Sequence, residues 1–426
     1  MQCPFPPMPA TLQTEADVLV IGGGTAGTIA ALQAARSGAH TVLIERGPQL
    51  GGTMTTGGVA YPGLFHAWER QIIAGLGWEL VTRAVELDGG TMPDFTVRPP
   101  RHSMHQVRLN GPLYAALAEE ACLQSGVELC YYEFPLGGAP TDTGWHLAVA
   151  GSGVRRSVQC KQLIDCTGGA EVVGLLGYPR QREEVIQPGT LHFRLEGYDV
   201  KAMDPELVEA RYQQALADGR LQPGDLWDRK ATFLSFLGSH GANHVFGADS
   251  STSVTQTAAN LAGRQMALRL LRFVQSLPGG ERARLQLGAS ETAVRESYRI
   301  LGETVITVED YCSGRLFEDA ICWAFYPVDV HDENGVTPEP LQEGVVPSIP
   351  FSALIPKGSR NLLAAGRCVS SDRLANSALR VQAPCMAMGQ AVGAAAALAA
   401  KAGIPPTEVA LDDIKAELRA HGALVP

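Results

Sequence analysis

The sequence predicts an α/β protein: a Rossmann-like parallel sheet with a β-hairpin insertion, interrupted by an α+β capping domain. Three observations predict it. Residues 17–46, "DVLVIGGGTAGTIAALQAARSGAHTVLIER", read as strand, glycine turn, helix and second strand. "GWHLAVAGSGVRRSVQCKQLIDCTGG" alternates around a glycine turn, as a β-hairpin does, and ends in an apolar strand. "NLLAAG", residues 361–366, returns as one last buried strand after a long interval with more charge, longer helices and several proline breaks. A sheet that opens near residue 17 and closes near residue 366 must be interrupted by a separate domain. The expected division is 15–65, 105–185 and 345–405 for the discontinuous sheet domain, 66–104 and 186–344 for the capping region, and 406–426 for a helical tail.

The opening unit has a direct physical reading. Gly22 lets the chain reverse, Gly24 leaves room for a pyrophosphate against the backbone, and Gly27 lets the helix pack closely on the strand. Thr25 and Ala26 begin that helix, whose free N–H groups and positive dipole end favour an anion. Glu45, at the tip of the second strand and followed by Arg46, is placed to accept hydrogen bonds from a ribose diol. An acid there repels the extra phosphate of NADP, but it does not separate NAD from FAD. The next stretch, "ERGPQLGGTMTTGGVAYPG", does. FAD continues past its pyrophosphate into a ribityl chain and a flavin ring. Gly51 and Gly52, then Gly57 and Gly58, would let backbone approach those parts, with Thr53 between them.

Further along, "RQIIAGLGWELVTRAVEL" predicts a helix, "LNGPLYAALAEEACLQSG" a second and amphipathic one, and "VELCYYEF" a strand. A long helix is expected over 381–402.

Bulk properties exclude several classes. Of 426 residues, 45% are hydrophobic and 18% charged, as in a folded globular chain. The net charge of -10, from 44 acids against 34 bases, argues against nucleic acid or an anionic membrane as partner. The first residues lack the basic start and apolar core of a secretory signal. Nine cysteines, none in a C-x-x-C pair, read as thiols of a reducing compartment, so a cytoplasmic location is expected. Residues 386–400, "MAMGQAVGAAAALAA", are too short and too rich in Ala and Gly for a membrane span. Gly389 and Gly393 there suggest a helix pressed against a sheet.

With its second glycine segment the chain resembles the FAD-dependent oxidoreductases whose nucleotide domain is like that of glutathione reductase. It is most similar to the branch that includes fumarate reductases and succinate dehydrogenases. "LIDCTGGAEVVGLLG" resembles the strand and turn beside the FAD pyrophosphate, which implies contacts from Thr167 and Gly168. "RESYRILGETVITVEDY" and "FYPVDVHD" resemble capping segments of a large group of bacterial FAD-dependent oxidoreductases. "IPKGSRNLLAAGRCVSSDRLANSALRVQAPCMAMGQAVGAAAALA" is similar to that group's flavin-binding segment. The similarity implies that the strand ends in Ala365-Gly366-Arg367, with Gly366 beside the cofactor, and that a helix N-terminus, with N–H groups from Gln382 to Met386, faces the flavin's pyrimidine edge. A positive dipole end there would stabilise the reduced flavin, and Pro384 suits such a first turn. The sequence departs from the group's pattern at His192, where an apolar residue, often Met, is expected.

Chemistry on the substrate side has fewer signposts. His66 follows the second glycine segment closely, and histidine is the natural acid or base beside hydride transfer at neutral pH. Arg295 and Arg299, four apart, would share one helix face and clamp a carboxylate, although Glu291 offers Arg295 a surface ion pair instead. Arg380 precedes the flavin-facing helix, where it would bind the flavin edge or a substrate carboxylate. His331 lies in a capping segment. Cys385, at a helix N-terminus, should have a lowered pKa but lacks a partner thiol. His240 and His244 have the spacing of a metal pair, yet Gly and Asn between them disfavour a helix, and no metal is expected. The sequence therefore points to non-covalently bound FAD, a small-molecule substrate and hydride exchange with flavin N5. The electron acceptor stays open between dioxygen and a partner protein. The alternative is an FAD- or NAD-binding protein without turnover. No second strand–turn–helix with its own glycine fingerprint is found between residues 120 and 345, so NADH and NADPH are not expected as reductants.

Overall fold

The structure, a computed structural model, describes residues 11–99, 101–226, 232–238, 242–333, 335–336 and 338–426. Its site-building elements begin with β1 (Thr11–Ile21), α1 (Thr25–Arg36), β2 (Thr41–Glu45), α2 (Leu76–Leu87) and α3 (Gly111–Gln124). Then come β3 (Glu128–Tyr131), β4 (Glu133–Thr141), β5 (Gly144–Gly151) and β6 (Val154–Asp165). The second body contributes β7 (Gly189–Glu196), β8 (Ala242–Val245), α4 (Ser253–Gln275) and β9 (Arg284–Leu287). The chain returns through β10 (Leu362–Ala364), α5 (Gln382–Ala402) and α6 (Leu411–Ala420).

The large sheet runs in the order β3-β2-β1-β6-β5-β4, with β10 beside β6. β1 pairs parallel with β2 and β6, and β10 pairs parallel with the last residues of β6, Leu362 opposite Leu163 and Ala364 opposite Asp165. β5 and the first half of β6 form the predicted antiparallel hairpin, and β4 pairs antiparallel with β5 as a third strand. Val18, Leu19, Val20 and Ile21 are all buried, which suits an apolar run in a strand covered on both faces. α5 crosses α1 at close range: a Cβ on Gly389 would run into Ala26 O, and one on Gly393 into Ala30 O. α5 is long and apolar enough to cross a membrane, but 89% of its apolar window is buried inside the protein.

Three expectations need correction. The helix expected from residue 70 starts at Leu76, because His66–Ala67 and Arg70–Gln71 pair as a short hairpin and Gly75 turns the chain at φ 82. Residues 291–299 are not helical. Ala293 bridges to Thr190 and Arg299 pairs with Gln181, so Arg295 and Arg299 do not share a helix face. The capping body is also narrower than expected. Leu76, Leu80 and Val81 of α2, together with Ile306, Tyr311 and Ile321, join the core of the sheet domain. The separate core runs from Leu191 to Val294 and is built on β7, β8, β9 and α4.

Candidate active site

A cavity of about 1050 Å³ opens at the C-terminal ends of β1, β2, β6 and β10, and reaches the second body. This is where open α/β sheets bind ligands. At its sheet end the glycines divide their work. A Cβ on Gly24 would meet nothing within 4 Å, whereas one on Gly22 would lie 2.6 Å from Cys166 O and one on Gly27 would enter Gly22 O. Gly24 therefore lines open space, while Gly22 (φ +96) and Gly27 hold the turn and the helix together. The α1 N-terminus, with Thr25 and Ala26 on the wall, turns first-turn N–H groups without intrahelical acceptors toward the cavity.

Glu45 Oε2 accepts Gly23 N–H and its Oε1 accepts Gly47 N–H, both at 2.6 Å. Burial raises its pKa while these two bonds oppose the rise. Each oxygen keeps a lone pair for a ribose hydroxyl. Glu45→Ala is expected to weaken nucleotide retention by about 1.5–3 kcal/mol, read as cofactor lost on dialysis against dilute protein. Arg46 spans the rim to Glu171 at 3.0 Å. Across the cavity, Asp165 accepts from Thr167 N (3.0 Å), Thr167 Oγ1 (2.7 Å) and Val173 N (2.9 Å), which fixes the Thr167–Gly168 turn. Arg367 donates to Gly168 O at 2.8 Å and Val294 O at 2.9 Å while lining the cavity. Sequence reading passed over both Asp165 and Arg367. Their shared signal was a charge at the end of a buried strand or within three residues of it.

The second glycine segment splits in two. Gly52 and Thr53 line the cavity. Gly58 does not: a Cβ there would lie 2.6 Å from Gly288 O, so its lack of a side chain admits the crossing segment 288–293 rather than a ligand. Gly366, at φ +101, lines the wall against Ala26. The α5 N-terminus also differs from expectation. Gln382 lines the cavity, but its side chain donates to Val59 O at 2.7 Å and accepts from Thr25 Oγ1 at 3.4 Å, strapping two walls together. Ala383 N–H is bound to Pro62 O and Cys385 N–H to Val381 O, so the expected row of ligand-facing donors is shortened. Met386 is buried against Gly77, away from the cavity. Cys385 does line it, yet burial pushes its thiol up to about 12, opposite to the expected lowering, because desolvation outweighs the nearby arginines.

The far end of the cavity collects residues from separate stretches. Strand alternation on β7 sends Leu191 and Phe193 into the second core and Thr190 and His192 to the cavity. His331 Nε2 lies 3.0 Å from Asp329 Oδ2, and His331 Nδ1 lies 2.9 Å from His244 Nε2. Arg380 Nη2 donates to Asp329 O at 3.1 Å and to Gln187 Oε1 at 3.4 Å. Arg295 Nη1 donates to Pro188 O at 2.5 Å. Burial raises the Asp329 pKa, but the His331 hydrogen bond and the charges of His331, Arg380 and Arg295 outweigh it and hold the group below its ordinary value. Burial and the repulsion of Arg380 draw Arg295 down to about 9, still charged at pH 7. Tyr326 and Gln106 close the wall through a 2.8 Å hydrogen bond.

His331 and Arg380 thus meet, with Arg295 beside them. His66 does not join them. It stacks on Phe95 with centroids 3.8 Å apart and meets Trp78 edge-on, outside the cavity wall, because the hairpin turns its ring into an aromatic cluster. Arg299 is bound to Glu183 at 2.7 Å and to Ser371 O at 3.0 Å. His240 lies outside the described residues. His244 reaches the cavity, and among the described residues no His, Cys, Asp or Glu group could hold a metal ion. Only the YPVDVHD motif hinted at Asp329, two residues before His331.

Burial lowers His192 and His331 to about 4 and His244 to about 3. Their folded pKa values lie below the unfolded one, so the unfolded chain binds more protons as pH falls through that window. Stability is therefore full above about pH 6.5 and is lost toward pH 4. Urea midpoints measured between pH 6.5 and 5 are expected to fall, by at most about 1.4 kcal/mol per pH unit for each histidine. A flat profile would contradict the burial of these rings.

A family model described as FAD dependent oxidoreductase matches residues 17–418. No curated protein matches the sequence. Similar solved structures include a geranylgeranyl bacteriochlorophyll reductase-like protein from Thermoplasma acidophilum, at 14% identity over 96% of this chain and 83% of that one, TM-score 0.42. The anhydrotetracycline hydroxylase OxyS from Streptomyces rimosus matches at 17% identity over 46% of this chain, TM-score 0.32, and the match spans only 41% of the hydroxylase. At these values nothing about activity transfers from them.

Proposed function

Because the chain belongs to the FAD-dependent oxidoreductase family, matched over residues 17–418, we propose that it exchanges hydride between a small organic substrate and FAD bound non-covalently in the cavity. The residues present fit that cofactor. Open space over Gly24, the α1 N-terminus, the Glu45 carboxylate and the Gly366 and Gln382 wall follow one another along a single cavity. The wall thiols of Cys166 and Cys385, both with raised pKa, are poor candidates for a covalent link. When bound, FAD supplies a two-electron acceptor at its N5.

The observation that carries the reading is the row Asp329–His331–His244 at the end of that cavity. An ionised Asp329 accepts from His331 Nε2–H, so Nδ1 of the neutral ring accepts from His244 Nε2–H; this tautomer follows from the hydrogen-bond network. In such a row the proton released as hydride leaves the substrate enters at His244 Nδ1, the His244 Nε2–H proton passes to His331 Nδ1, and Asp329 stabilises the resulting His331 imidazolium. Arg380, anchored on Asp329 O, keeps the row in place. We further propose a cytoplasmic protein; the eight described cysteines are all free thiols.

Heating the purified protein is expected to release FAD. Anaerobic mixing with a panel of small alcohols, amines and acids is expected to bleach the flavin with the true substrate, while NADH and NADPH at micromolar concentration leave it yellow. Recovery of NAD, or of no nucleotide from well-folded protein, would overturn the reading. Admitting air to the bleached protein then separates dioxygen from a protein acceptor.

A further inference from the structure

Resting on that reading, we propose that the substrate is a small organic monoanion whose carboxylate is bound by Arg295 together with Arg380. Several of the chain's other interior arginines have acids of their own, and Arg367 is held instead by two carbonyl oxygens, Gly168 O at 2.8 Å and Val294 O at 2.9 Å. Arg156 meets Glu133 at 2.8 Å, Arg269 meets Asp225 at 2.6 Å and Arg299 meets Glu183 at 2.7 Å. Arg295 is different. Among the described residues no carboxylate lies within ion-pair distance of it, and its Nη1 donates to the backbone oxygen of Pro188. Arg380 lies 3.8 Å from Asp329 Oδ2, and its Nε is buried without a hydrogen-bond partner among the described residues.

The charge count gives the sign of the missing ligand. Glu296, 2% exposed, is matched by Arg373 at 3.3 Å, and Asp329 is shared between His331 and Arg380. Two acids therefore face three arginines, and the histidines between them are neutral at pH 7. One positive charge stays uncompensated at the far end of the cavity, where Arg295 is desolvated by burial and an unpaired charge is costly. A single negative charge balances it. A dianion such as a phosphate ester would overcompensate and meet Asp329. Guanidinium groups bind a carboxylate through paired N–H donors, and that geometry fixes the neighbouring carbon near the His331 row.

The test uses the holoprotein and matched probes: acetate, propionate and benzoate against acetamide, propionamide and benzamide. Binding is read by isothermal calorimetry and by perturbation of the flavin absorption band. At least one acid is expected to bind about tenfold or more tightly than its amide. Arg295→Gln is expected to weaken that acid by about tenfold to a hundredfold without affecting the amide, and Arg295→Lys should restore part of the loss. Equal affinity for acid and amide across all three pairs would overturn the proposal, with no variant needed. So would discrimination that survives in both Arg295→Gln and Arg380→Gln. Loss of FAD from these variants, with no acid preference in the parent, would assign the arginines to the cofactor instead. A protein purified without FAD defeats the functional reading, yet the calorimetric comparison still decides the charge preference.

Discussion

Asp329→Asn is expected to lower kcat by about 10²–10⁴-fold while FAD stays bound, the range associated with loss of a positioned proton-transfer group. The substitution keeps the shape of the side chain and the backbone N–H bond to Ser377 Oγ, so the loop should hold. What changes is the partner of His331 Nε2, now 3.0 Å from a carboxylate oxygen. An amide can present N–H where the ring needs an acceptor, and His331 then changes tautomer and turns its N–H toward His244. The negative charge that would stabilise an imidazolium also disappears, beside two arginines. Steady-state kinetics with the substrate, alongside the flavin spectrum and the melting temperature, separate this from misfolding. A kcat within about threefold of the parent would remove the row from the chemistry.

Gly27→Ala is expected to cost about 3 kcal/mol or more of stability and to leave the protein with little flavin. The added methyl would enter Gly22 O and lie 2.9 Å from Cys166 Cβ. Neither neighbour can yield. Gly22 is held at φ +96 against the Cys166 backbone, and Cys166 N–H is bonded to Ile21 O. Relief would require α1 to lift from β1, but α5 holds α1 closely through Gly389 and Gly393. Gly24→Ala provides the contrast. Its methyl meets nothing within 4 Å, so the melting temperature should stay near that of the parent while FAD retention falls. Parent-like melting and flavin content in Gly27→Ala would refute this account of the turn.

These two predictions also mark where sequence reading succeeded and where it stopped. The opening unit was legible because its contacts are local. A glycine spacing, an apolar strand and a terminal acid within thirty residues impose their own geometry. The hairpin insertion and the returning strand were legible for similar reasons, as period and burial both show in short runs. Residues 291–299 misled because their partner, Thr190, lies about a hundred positions away, and a bridge between Ala293 and Thr190 overrides any helical spacing of Arg295 and Arg299. His66 misled because closeness in sequence to the glycine segment says nothing about which way a two-residue hairpin turns its side chains. The proton row was illegible as a unit. His244, His331 and Asp329 have no common motif, and only the packing of the second body on the sheet brings them together.

The strap made by Gln382 bears on how this chain becomes folded. Its side chain joins Thr25, 357 positions earlier, to the backbone of Val59, while β10 and α5 fill a gap beside β6 and α1. A nascent chain that has emerged only as far as residue 360 exposes the open flank of β6 and the small-residue face of α1. Both are surfaces prone to non-native pairing. The nucleotide fold must therefore wait for synthesis to pass α5, and the interrupting body, whose core closes between Leu191 and Val294, can consolidate first. Maturation on this account runs from the inside of the sequence outward.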